Sequence, residues 1–65
     1  MGVNKMTDRQ KAEYAILHGS ILESDEFYID DNGTITHFVE LKVLYKRKIM
    51  TIAFADGKLV KFRIK

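Results

Sequence analysis

The sequence predicts a single α+β domain, an N-terminal helix packed on a four-stranded antiparallel β-meander. Three observations carry that prediction. A helix-start signal at Thr7–Gln10 is followed by small and apolar residues at helical spacing. After residue 26 the chain turns to runs rich in Val, Ile, Phe, Tyr and Thr, the residues that suit a pleated surface. Those runs are divided by Asp31-Asn32-Gly33, Lys46-Arg47-Lys48 and Asp56-Gly57, and short breaks of this kind produce hairpins rather than crossovers.

The helix is expected over about 7–19. Thr7 and Gln10 form a capping box, in which the threonine oxygen accepts from the Gln10 amide and the glutamine side chain accepts from the Thr7 amide. Asp8 lies in the first turn, where the helix dipole favours a negative charge. Ala12, Ala15, Ile16 and Gly19 share a face, which Tyr14 and Leu17 widen. Gly19 reads as the C-terminal stop, through the left-handed conformation that glycine adopts without steric cost. Ile21 and Leu22 are expected to drop into the core as the chain leaves the helix.

Strands are expected at about 26–30, 34–45, 49–54 and 58–64. Two registers compete at each glycine turn, because a one-residue slip moves every side chain to the other face. A three-residue loop at Asn32-Gly33 pairs Ile29 with Ile35 and collects Phe27, Ile29, Ile35, Val39, Leu41, Val43 and Tyr45 on one face. The same loop at Asp56-Gly57 pairs Ile52 with Val60 and Met50 with Phe62. Both choices gather apolar side chains under the helix, so both are preferred over the tighter two-residue turn.

Composition narrows the function. The chain has 65 residues, enough for one modest core, with 46% hydrophobic residues and no proline. It has no cysteine, which removes disulfides, thiol chemistry and cysteine-ligated zinc, and points to a reducing, cytoplasmic setting. No apolar run approaches the ~20 residues of a membrane span, and Met1–Gln10 lacks the apolar stretch of a signal peptide. Starting at Met1 with no tag, the sequence reads as a complete gene product. Net charge is only +2 but unevenly placed. Residues 1–33 carry three basic against seven acidic side chains, and residues 34–65 carry eight against two.

No constellation for catalysis is present. There is no glycine-rich phosphate loop, nucleophile elbow or zincin helix, and a core this small leaves little room for a pocket. The sequence therefore reads as non-enzymatic and without a cofactor. Asp25, Asp30, Asp31 and Asn32 offer oxygen ligands but lack the spacing of a calcium loop, and Asp31-Asn32-Gly33 is explained as turn chemistry. His18 and His37 form no metal-spaced pair and read as structural.

What remains is binding. In the preferred register the sheet face away from the helix carries Tyr28, Phe38, Leu44, Ile49 and Leu59, an apolar patch rimmed by charge and the expected protein interface. The leading expectation is a small regulatory protein that docks on another protein through that face or an exposed edge strand. An inhibitor of a host enzyme, encoded by a phage or bacterium and acting in the host cytoplasm, fits the size. A homodimer would be a competing use of the same face. The alternative is a nucleic-acid-binding module, in which Lys42, Lys46, Arg47, Lys48, Lys61, Arg63 and Lys65 contact phosphates while Tyr28 and Phe38 stack bases.

Overall fold

Helix α1 (Asp8–His18) starts where the capping box places it, in a computed structural model that describes residues 5–65. The Gln10 amide donates to Thr7 Oγ1 at 3.1 Å, and the Thr7 amide donates to Gln10 Oε1 at 2.9 Å. Four strands follow, β1 (Ser20–Asp31), β2 (Thr34–Tyr45), β3 (Lys48–Ala55) and β4 (Lys58–Ile64). They form one antiparallel sheet in the order β1-β2-β3-β4, the expected meander.

The helix lies against one sheet face through its smallest side chains. Ala12 and Ala15 are fully buried against a cluster of Leu41, Val43, Met50 and Ile52, with Val39, Phe54, Leu59 and Phe62 packed around it. Tyr14 and Leu17 do not widen that contact as the helical spacing suggested. They are 51% and 76% exposed, because a helix docked through alanines sits close and turns its bulky positions outward.

Gly19 also differs from expectation. Its φ of −91° and ψ of −169° are extended, so no left-handed cap forms. Glycine is required for another reason. A Cβ there would lie 2.6 Å from the Leu44 carbonyl oxygen, 2.7 Å from the Ala15 carbonyl oxygen and 2.9 Å from Val43 Cγ1. The chain passes directly from helix into β1 at this point, and only a residue without a side chain lets the two backbones approach so closely.

Both glycine turns take the tighter register, which corrects the preferred loops. Asp31 pairs with Thr34 across Asn32-Gly33, and Ala55 with Lys58 across Asp56-Gly57. The φ values, 55° and 86° at the first and 49° and 83° at the second, are those of two-residue turns whose twist matches that of the strands. The middle turn, Lys46-Arg47, has the same geometry, with φ of 52° and 66°. Neither residue is glycine, asparagine or aspartate, so that turn holds strain of about 1 kcal/mol per residue.

Two bulges adjust the pairing afterwards. The shift between Ala53 and Phe54 makes Val60 the extra residue of β4, so Ile52 meets Phe62 and Phe54 meets Leu59. Ile52 therefore meets neither Val60 nor Lys61, the partners that the two simple registers offered. In β1 the extra residue is Leu22, between Ile21 opposite Val43 and Glu23 opposite Lys42. Ile21 and Leu22 are 51% and 50% exposed and belong to a strand that begins six residues earlier than the composition indicated.

The first hairpin outruns the rest of the sheet. β3 reaches β2 only as far as Phe38, opposite Ala55, so Tyr28–Asp31 and Thr34–His37 form a two-stranded arm with no third strand from the described residues beside it. Asp56 secures its base. The His37 amide donates to Asp56 Oδ1 at 2.9 Å, and the Asp56 amide donates to the His37 carbonyl at 2.8 Å, extending the β2 ladder one step past the end of β3. The arm gives extents of 46 × 27 × 18 Å and a radius of gyration of 13.3 Å. A compact chain of this length would have about 11 Å.

Candidate protein interface

The register decides which side chains share a surface. On the face away from the helix the cross-strand rows read Phe27-Phe38-Ala55-Lys58, Asp25-Glu40-Ala53-Lys61 and Glu23-Lys42-Thr51-Arg63, with Leu44 beside Ile49 at the far end. Of the expected interface, Phe38, Leu44 and Ile49 do lie on this outer face. Tyr28 and Leu59 do not. Tyr28 is opposite His37 on the helix side, and Leu59 is packed against the core opposite Phe54. In their place the outer face gains Phe27 and Ile29, each 43% exposed, which the looser register had assigned to the core. The signal for them was present in Asn32-Gly33, the strongest short-range indicator of a two-residue hairpin.

At the root of the arm the Phe27 and Phe38 rings lie 5.0 Å apart on the outer face. On the opposite face the Tyr28 ring stacks on His37 at 4.9 Å, and the His37 Nε2 is hydrogen-bonded to the Glu26 carboxylate. His37 is therefore engaged at its ring and at both backbone groups. His18, at the end of the helix, packs against Tyr14 at 4.6 Å.

The basic residues divide among three places. Lys42, Lys61 and Arg63 stand in outer-face rows, and Lys65 joins them beside Ile49, whose carbonyl accepts from the Lys65 amide at 3.0 Å. Lys46 and Arg47 form the middle turn, and Lys48 faces the helix side opposite Tyr45. Two of the outer-face cations meet acids. Lys61 Nζ lies 3.2 Å from Glu40 Oε2, and Lys42 Nζ lies 3.8 Å from Glu23 Oε1. Both pairs are partly exposed, so each adds little to stability but locally cancels charge. The sequence-level charge asymmetry survives in space as a gradient across the sheet, acidic along β1 and basic along β4.

The edge of β1 is the other notable feature. Residues flanking a two-residue turn exchange both backbone hydrogen bonds, and the pattern alternates from there. Asp31, Ile29, Phe27, Asp25 and Glu23 therefore bond to β2, while Asp30, Tyr28, Glu26 and Ser24 turn their N–H and C=O groups outward. This is a long open edge, and side chains along it at Phe27, Tyr28 and Ile29 are exposed.

Among the described residues no three His, Asp or Glu side chains come together as a metal site, and no helix is long and apolar enough to cross a membrane. No protein-family model, curated protein or solved structure matches the chain.

Proposed function

We propose that this is a small non-catalytic binding protein that docks on another protein by strand addition to the open edge of β1. The observation that carries the reading is that edge itself, which runs on into an arm with exposed Phe27, Tyr28 and Ile29. Strand addition draws affinity from main-chain hydrogen bonds and specificity from flanking side chains, and β1 offers both. Glu23, Asp25, Glu26 and Asp30 line it, so two β1 edges repel each other, while an extended segment carrying basic residues is attracted. Docking of this kind needs no chemistry of its own, which suits a small regulator or inhibitor. The absence of cysteine suits action in the cytoplasm. The nucleic-acid reading is disfavoured because Tyr28 and Phe38 lie on opposite faces, and because Lys42 and Lys61 face carboxylates.

Ser24 provides the test. Its amide points away from β2, so Ser24→Pro removes one outward donor and blocks an incoming strand while leaving the sheet's own ladder intact. A partner recovered from cell extract with the wild type and with Ser24→Ala, but lost with Ser24→Pro, supports strand addition. Equal recovery with Ser24→Pro contradicts it. Recovery of nucleic acid that disappears at high salt would favour the basic residues instead.

A further inference from the structure

The outer sheet face has a symmetry of its own that the β1 edge does not use. We infer that this face closes against a second copy of the chain, the two sheets packed face to face about a two-fold axis that runs parallel to the strands. Such an axis keeps position along the strands and reverses the strand order. It lays β1 of one copy over β4 of the other, and β2 over β3. The rows then fall in register. Glu23 meets Arg63 of the second copy, and Asp25 meets its Lys61. Leu44 meets Ile49, and Phe38 meets Ala55, each pair occurring twice by symmetry.

The other two-fold arrangement, with the axis across the strands, fails on charge. It would place β1 acids over β1 acids and β4 cations over β4 cations. Arg63, Lys58 and Asp25 take part in none of the four ion pairs formed among the described residues, so they remain available. The apolar contacts of the face lie at its two ends. Leu44 and Ile49 are 40% and 42% exposed at one, Phe38 and Ala55 are half-buried at the other, and the rows between them are mostly charged around a fully buried Ala53. Sheets in such a sandwich pack about 10 Å apart and about 30° from parallel, so the outer rows drift but keep their sign of charge.

The size is adequate. Strands about 4.8 Å apart and rising about 3.3 Å per residue give the four-stranded part a flat area of about 500 Å² on each copy. Its accessible surface is rougher and larger, which brings it toward the roughly 800 Å² per partner of a standard interface. The helix lies on the other face and does not obstruct the approach. The outward backbone groups of β1 stay free, so this association and strand addition occupy different surfaces.

Sedimentation equilibrium over a range of protein concentrations reads the result. The wild type is expected to be a dimer, and Leu44→Asp a folded monomer. Arg63→Glu sets like charges together twice and is expected to weaken association on the order of tenfold or more. Glu23→Arg combined with Arg63→Glu restores the opposite pairing, and with it the dimer. Circular dichroism confirms that each variant is folded. A wild type that stays monomeric at all concentrations overturns the inference and leaves the face to some other protein. A dimer that survives Leu44→Asp places the contact elsewhere. A dimer weakened by Arg63→Glu but not rescued by the double swap overturns the strand-parallel axis. Ser24→Pro is expected to leave the dimer intact, which separates failure here from failure of the β1 reading.

Discussion

Replacing Ile52 by alanine is expected to leave most of the protein unfolded at room temperature. Ile52 and Val43 are the largest fully buried side chains, and Ile52 sits between Leu41 on β2 and Phe62 on β4, where the sheet meets the helix. Truncation of a buried isoleucine costs about 2–5 kcal/mol, through lost transfer energy and the cavity left behind. A single core in a chain this short supplies about 3–5 kcal/mol in total. The loss is therefore comparable with the whole stability. Urea denaturation followed by circular dichroism, at fixed protein concentration, measures it. Ile35→Ala is the control, since Ile35 lies on the arm and is 66% exposed, and its change should stay within about 0.5 kcal/mol. Similar effects for the two variants would contradict the position of the core.

Gly19→Ala is expected to cost about 2 kcal/mol, although the residue is not in a left-handed conformation. At an ordinary φ, replacing glycine by alanine usually stabilises by about 0.4–1 kcal/mol, because the unfolded chain has less freedom to lose. Here the added methyl meets two carbonyl oxygens and Val43 Cγ1, all within 3 Å. Two of the three are backbone atoms and the third belongs to a fully buried side chain, so none can yield cheaply. Overpacking of this kind costs about 1–3 kcal/mol, which outweighs the entropic gain. The thermal midpoint should fall by roughly 10 °C, at 4–8 °C per kcal/mol for a domain of this size. An unchanged or raised midpoint would mean that the helix and β2 do not approach so closely.

The helix was legible because its start signal is local. Thr7 and Gln10 need only each other, and the capping box formed as expected. Strands β2 and β4 were legible for a similar reason, being bounded by turn residues and rich in β-formers. The first six residues of β1, Ser20–Asp25, were not. Glu23, Ser24 and Asp25 close that stretch, and residues of this kind do not favour a strand. They are extended because the long β2 needs a neighbour, so the cause lies elsewhere in the chain.

The misplaced register of the first hairpin has a physical origin in what covers the sheet. Gathering apolar side chains on one face is a sound rule where that face is covered. The helix covers only the part of the sheet around Leu41, Val43, Met50 and Ile52. Beyond Phe38 the core cluster of the described residues does not extend over the arm, so no burial rewards Phe27 or Ile29 for facing the helix side. Turn geometry then decides, and Asn32-Gly33 favours the two-residue form. At Asp56-Gly57 the same turn forms, and the bulge at Val60 restores Phe62 to the core. This explains the mixed outcome for the expected interface. Phe38, Leu44 and Ile49 sit on strands whose facing does not depend on the misread turns, while Tyr28 and Leu59 each adjoin one.

The β1 edge is tested most directly by amide hydrogen exchange, in the free protein and in its complex with the partner recovered by wild type. In the free protein the amides of Ser24, Glu26, Tyr28 and Asp30 should exchange quickly, and those of Asp25, Phe27 and Ile29 slowly, because only the second set is bonded to β2. Addition of the partner should slow the first set while leaving the second little changed. Protection that appears only on the helix or on β4, with the four outward amides of β1 still exchanging quickly, would contradict strand addition at this edge.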